Sequence, residues 1–512
     1  MPAYPIDGGS SVPARGPGRT SPYSRAWPTL LLSIAGVVSG GIGRTQAATP
    51  LAVHPENPRY FLWRGKPTVL ITSAEHYGAV LNGEFDYSVY LQELKRHGLN
   101  NTRTFSGVYR EIPSSFGITE NTLAPKPGHF VCPWARSNQP GESDGGNKFD
   151  LTRWNDAYFT RLKDFLRQAG EQGVVVELVL FCPMYNDDLW LACPMNARNN
   201  VNGVGNCNRQ AVYALQHDDL TRVQLDFTRK IVHELRNFDN LYYEVCNEPY
   251  FGGVTMDWQH RIVQAVVEAE QGLSQPHLIS LNIANGRQKV VDVHPDVSIF
   301  NFHYTHPPDT VALNAHLRKP IGENETGFRG RDDLLYRTEG WDFILAGGAL
   351  YNNLDYSFSA SHPAGTLRRF DSPGGGSLAL RQQLGILKRL IDSFDFLKMA
   401  PDAAVVRQVS DGLVTQALVQ PGESYLIYLH VPLAAKPKDM NDHIRRHVRA
   451  QLTLAIPPGD YSLEWIHTLT GEATPAASPN WTADGLKLET PAFDNDVALA
   501  IRRKASRGIE GR

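Results

Sequence analysis

The stretch VVVELVLF, Val174 to Phe181, is apolar and β-branched almost throughout, with no alternation between faces. A strand reads this way when both its faces are covered, as in parallel sheets flanked by helices. Just before it, Trp154 to Gln172 carries apolar residues at helical spacing. The same alternation continues in both directions. Upstream, the pattern predicts a strand at Thr68 to Thr72 (TVLIT), a helix at Tyr87 to His97 and a strand at Asn101 to Phe105. Downstream, it predicts helices beginning at Arg222, Trp258 and Leu378, and strands at Leu241 to Cys246, Leu278 to Asn282, Val297 to Phe302, Pro320 to Gly322 and Leu350 to Tyr356. Eight strands alternating with helices predict an α/β fold, a closed (β/α)8 TIM barrel, from about Leu51 to Met399.

After Pro401 the helical period disappears. Short alternating runs such as YLIYLHV and VALAIRR are separated by Pro-Gly-Glu and Pro-Pro-Gly-Asp turns, and about seven of them describe an all-β sandwich. The expected organisation is a leader over 1–48, the barrel over 49–400, the sandwich over 401–505 and a tag remnant over 506–512. In the leader, Arg19 and Arg25 precede the apolar stretch Trp27 to Val38. Small residues then lead to Thr45-Gln46-Ala47-Ala48, a signal-peptidase site by pattern. An uncleaved anchor is the alternative reading of that stretch. The reading implies a secreted or periplasmic chain with no membrane span once mature. Ile509-Glu510-Gly511-Arg512 reads as a protease-site scar.

With 50 basic and 53 acidic residues and a net charge of -3, no global field attracts nucleic acid or anionic lipid. The five cysteines are few for the length, so stability must come from a core. Cys193 and Cys207 bracket a polar, glycine-rich run, where a disulfide and two free thiols are equally consistent. Cys246 reads as a small buried residue. No cysteine spacing suits zinc, and no metal or other cofactor is expected. Nothing in the chain indicates an oligomeric state.

In a barrel of this kind the loops at the carboxyl ends of the strands form the active face. Those ends are polar and aromatic here: Glu75 and His76 after strand one, Arg103 in strand two, Tyr185 after strand three, Asn247-Glu248 after strand four. They continue with Asn282 and Asn285, His303-Tyr304, Glu325, and then Asn353, Asp355 and Tyr356. A packed core has no use for such a ring, so a polar ligand is expected. Strands four and seven face each other across eight strands, so Glu248 and Glu325 are placed to flank a sugar. Two carboxyl groups, one protonated and one ionised, suffice for glycosidic bond cleavage, and their separation sets the stereochemistry.

Four stretches carry a family resemblance: Gly98-Leu99-Asn100-Asn101-Thr102-Arg103, Asn247-Glu248-Pro249, His303-Tyr304 and Glu325-Thr326-Gly327. In order and spacing they resemble a clan A glycoside hydrolase of the cellulase-like, family 5 type with a C-terminal sandwich. The resemblance implies retention, with Glu248 as acid/base and Glu325 as nucleophile held by Arg103 and a tyrosine. It also implies Asn247 at the sugar 2-hydroxyl, and burial and a neighbouring carboxylate raising the Glu248 pKa. Glu323 is a rival nucleophile.

Glu75, His76, Tyr185, Asn282, His303, Tyr304, Asp355 and Trp341 are the remaining candidates for substrate contact. Trp341, like Trp134 and Trp190, is read either as a stacking platform or as a loop anchor. The clan's tryptophan at the end of strand eight is replaced here by GGALYNNLDYSFS, leaving Asn353, Asp355 and Tyr356 as substitutes. The expected partner is an oligo- or polysaccharide cleaved at a β-linkage. A carbohydrate-binding barrel without turnover is the alternative reading, and a binding role for the sandwich a third.

Overall fold

In the computed structural model, residues 49–410, 412–476 and 480–504 are described. The expected leader and tag remnant lie outside them. The eight barrel strands are β1 (Leu70–Ala74), β2 (Asn101–Phe105), β3 (Val175–Phe181), β4 (Leu241–Cys246), β5 (Ile279–Asn285), β6 (Ile299–His303), β7 (Ile321–Thr326) and β8 (Leu350–Leu354). They are parallel neighbours in the order β1-β8-β7-β6-β5-β4-β3-β2. All seven residues of β3 are buried, as a strand covered on both faces requires.

Among the described residues no ladder joins β1 to β2. Asn100 closes that seam: its side chain accepts from Ile71 N–H at 3.0 Å and donates to the Val69 carbonyl at 3.0 Å. Its backbone N–H adds a bond to the Ile71 carbonyl at 3.2 Å.

The main helices are α1 (Tyr87–His97), α2 (Asp156–Gln172), α3 (Asp218–Leu235), α4 (Met256–Ala269), α5 (Asp309–Asn314), α6 (Asp333–Leu345) and α7 (Leu378–Asp392). Local chemistry fixes their ends. The Asp86 carboxylate caps α1 by accepting from Ser88 and Val89 N–H, and Lys95, Arg96 and His97 complement its last turn.

The structure corrects the expected elements in several places, among them Trp154, which ends a strand begun at Asn147 instead of opening the helix. Thr68 belongs to a small antiparallel sheet of Ala52–Val53, Phe61–Trp63 and Lys66–Thr68, ahead of the barrel. Helices α5 and α6 were not predicted. In α6 every residue from Leu334 to Leu345 is buried, charged ones included, so no polar face marks its period.

Beyond residue 400 a six-stranded and a four-stranded antiparallel sheet face each other over a second apolar core. The six-stranded sheet rests on α6. Trp341 of α6 stacks on Tyr428 with ring centroids 5.0 Å apart, and Arg337 makes two bonds to the Asp496 carboxylate at 2.7 and 2.9 Å. The barrel core continues through this contact to Leu418, Leu426 and Ile466. All five cysteines are free, so the Cys193–Cys207 bridge does not form. No helix among the described residues is long and apolar enough to cross a membrane.

Candidate active site

At the carboxyl ends of the strands lies a cavity of about 390 Å³ whose walls include His76, Asn247, Glu248, Tyr304 and Glu325. The strand exits bring its chemistry together. Beyond β4, Asn247 N–H bonds the Phe181 carbonyl at 2.9 Å, and the chain then turns through Glu248 at φ 36°. A side-chain-bearing residue at positive φ stores strain that its surroundings must hold. Tyr77 and Tyr304, also in the wall, share the feature at φ 60° and 54°.

Arg103 is fully buried and serves several groups at once. Its Nη1 donates to Glu325 Oε2 at 3.1 Å, and its Nη2 donates to Asn247 Oδ1 at 2.6 Å and to Glu244. Beneath it, the amides of Asn301 and Asn324 each donate to both Glu177 and Glu244. Burial and the Glu244 charge push Glu177 well above the ordinary carboxylate range.

The Tyr304 hydroxyl donates to Glu325 Oε1 at 2.5 Å, so one oxygen of Glu325 faces a cation and the other a neutral donor. Glu248 accepts from Tyr185 at 2.6 Å and from Tyr250 at 3.4 Å. Between the two acids lies His303, with Nδ1 at 3.3 Å from Glu248 Oε1 and 3.5 Å from Glu325 Oε1. One ligand atom from each of Glu248, His303 and Glu325 lies within 4.8 Å of the other two. Such a trio has donor types a divalent cation accepts, but Glu325 is already neutralised by the Arg103 guanidinium.

Burial acts to raise the Glu248 carboxyl, but hydrogen bonding and charge from His303, joined by the Tyr185 hydroxyl, hold it below the ordinary carboxylate range. This reverses the expected direction. The main reason is His303, expected as a substrate contact, whose ring lies against the acid itself. Burial also opposes charge on His76, but Glu111, with Glu325 and Glu75, holds that imidazole above its usual value.

No family model and no curated protein matches the chain. Solved structures do. A putative glycoside hydrolase from Bacteroides vulgatus is 15% identical and superposes with a TM-score of 0.60 over 90% of this chain and 83% of its own. A glycoside hydrolase of family 5 from the same organism is 13% identical, with a TM-score of 0.58 over 90% and 95%. A further structure named glycoside hydrolase gives 13% and 0.56 over 90% and 98%. This chain shares the fold of these structures, a (β/α)8 barrel followed by a β-sandwich. The match spans barrel and sandwich together.

On that fold, Asn247, Glu248, Arg103, His303, Tyr304, Tyr185, Glu325 and His76 converge at the cavity or directly behind it. Glu323 does not. It accepts from Thr305 N–H at 2.7 Å within the barrel wall, and burial beside Glu339 pushes it well above the carboxylate range.

Four expected contacts are also corrected. Glu75 turns away to accept from Gly78 and Ala79 N–H at 3.0 and 2.9 Å. Asn282 is buried beside Asn324, with their side chains 3.5 Å apart, and Asp355 is held by Arg381, Ser73 and Ser357. Trp341 stacks under the sandwich, and Trp134 and Trp190 are buried anchors. Of the suggested strand-eight substitutes, Asn353 bonds Ser73 and Tyr356 packs against His76 at 5.7 Å between ring centroids.

Residues absent from the expected set include Glu111, Phe116, Phe251, Arg329 and Lys436, all in the cavity wall. Lys436 comes from the sandwich. Arg329 holds its loop by donating to the carbonyls of Ala435 and Ala434 at 2.8 and 3.1 Å. Asn285 was legible as a polar residue at the end of β5. The loop residues have no period or strand end to mark them.

Proposed function

We propose that the chain is a retaining glycosidase that cleaves β-type O-glycosidic bonds of a glycan by double displacement. Glu325 attacks the anomeric carbon, forming the glycosyl–enzyme ester, while Glu248 gives its proton to the leaving oxygen. Glu248 then takes a proton from water, whose oxygen displaces Glu325. The observation that carries the reading is the approach of the two carboxylates: oxygens of Glu248 and Glu325 lie within 4.8 Å of each other. A retaining pair is separated by about 5–5.5 Å, and an inverting pair needs about 6.5–9.5 Å to admit water.

The surroundings divide the two roles. Arg103 and Tyr304 donate to the two oxygens of Glu325 and fix its direction. Glu248 instead has the His303 ring against it, with Nδ1 at 3.3 Å from its Oε1. Once a sugar excludes water from the cavity, burial favours the protonated carboxyl that the first step requires.

Replacement of each acid tests this. Glu325→Ala is expected to lower aryl glycoside turnover at least about 10³-fold, roughly 4 kcal/mol of barrier. Azide is expected to restore turnover with an inverted product. Glu248→Gln is expected to lower turnover less for good leaving groups than for poor ones. Unchanged turnover in both variants rejects the assignment, and glycan binding without turnover by the parent protein would favour the non-catalytic reading.

A further inference from the structure

Two phenylalanines stand in water at the mouth of the cavity. Phe116 is 45% exposed and Phe251 is 44% exposed, yet both line the cavity wall. Tyr185 lies between them, its ring 5.5 Å from Phe116 and 5.8 Å from Phe251, and Tyr250 follows at 5.1 Å from Phe251. The Tyr185 hydroxyl is spent on Glu248, and the Tyr250 hydroxyl on Asn285 with a longer contact to Glu248. The four rings therefore gather around the acid, on the side from which the leaving group departs.

The platform is held rigidly. Phe251 N–H closes the turn to the Glu248 carbonyl at 3.0 Å. Gly252 and Gly253 follow at φ 65° and 75°; a Cβ on the first would lie 2.8 Å from Pro183 Cβ, and one on the second would press into the Gln210 carbonyl. An exposed aromatic on a locked loop loses little freedom when it is covered.

The wall offers few groups to a second sugar. Asn285 is bonded to Tyr250, and Glu111 to Asn121 and Tyr109, which leaves Lys436 at the rim and the buried His76 ring, whose nitrogens have no hydrogen-bond partner among the described residues. A sugar seated against Phe116 and Phe251 would bring several hydroxyls to a surface with little to bond them, whereas a hydrocarbon group asks for no partner.

We infer that the leaving-group side of the cavity takes an apolar, hydroxyl-poor aglycone, so that the substrate is a glycoside of a hydrocarbon-bearing alcohol. The inference rests on the glycosidase reading and names its substrate class.

Methyl and octyl β-glycosides of one sugar test it, because both leave as simple alcohols and differ only in hydrocarbon length. The sugar is whichever one an aryl glycoside panel and the matching glycosyl fluorides show to be cleaved. The octyl glycoside is expected to exceed the methyl glycoside in kcat/KM by on the order of 30-fold, and to exceed the matching disaccharide. Phe251→Ala and Phe116→Ala are each expected to lose more on the octyl than on the methyl substrate. The milder Phe251→Leu is expected to give a smaller loss in the same sense, which guards against a variant that fails to fold. Cleavage of a glycosyl fluoride with no octyl preference would overturn this inference alone. Failure to cleave any fluoride or aryl glycoside would overturn the glycosidase reading, and the aglycone subsite with it.

Discussion

Glu248 shows how much of the site depends on its neighbours. It sits at φ 36°, buried, with bonds from Tyr185 and Tyr250 and the His303 ring against it. His303 is what reverses the effect of burial on its carboxyl. His303→Asn is therefore expected to move the Glu248 titration upward. The shift is readable in a ¹³C-labelled glutamate spectrum as the resonance missing from Glu248→Gln. A titration that stays in place would show that another group holds the proton balance.

The acids, Asn247 and Arg103 were legible because each stands at the end of an apolar strand with a short polar motif around it. Glu75 and Asp355 stand at strand ends too, but their carboxylates turn back to the backbone N–H groups of Gly78 and Ala79 and to the Arg381 guanidinium. Position along a strand does not say which way a side chain turns once it leaves the sheet.

At the scale of elements, the turn after β1 is built on a buried acid. Burial outweighs the two N–H bonds that Glu75 accepts and pushes its carboxyl from 4.5 up to about 6. A folded value above the unfolded one favours the native state at low pH, and that contribution is lost as pH rises from about 4.5 through 6. The difference amounts to about 2 kcal/mol. Glu75→Gln removes one acceptor but cannot ionise. Its stability deficit against the parent in urea is expected to be larger at pH 4.5 than at pH 7, narrowing by about 2 kcal/mol. An equal deficit at both values would show that Glu75 does not titrate in this range.

The strands were legible from apolar runs, and most helices from their period. Helix α6 was not, because the sandwich buries the face that water would otherwise have marked. A tertiary contact had erased the local signal.

At the scale of the whole molecule, that same contact makes barrel and sandwich one folding unit. Arg337 and Asp496 form a buried pair across it, supported by the Tyr428 hydroxyl at 2.8 Å from Asp496. Arg337→Ala leaves Asp496 uncompensated and is expected to cost about 3–5 kcal/mol. Calorimetry is expected to show one transition moved to lower temperature. Two separate transitions in the parent would show that the parts melt independently. The two-part organisation could be read from the change of period near Pro401, but the sandwich's contribution of Lys436 to the cavity could not, since it depends on how one part is docked on the other.

The seam between β1 and β2 bears on how the chain is made. On the ribosome β1 emerges before every other barrel strand, and the neighbour next to it in space at birth, β2, offers it mainly the amide of Asn100. Its ladder partner is β8, where Leu350 pairs with Leu70, about 280 residues later. At about 5–20 residues per second, that partner arrives roughly 15–55 s after β1 does. For that interval the apolar run from Val69 to Ile71 has an open edge, and a nascent chain in this state is the form of the protein most in need of a chaperone.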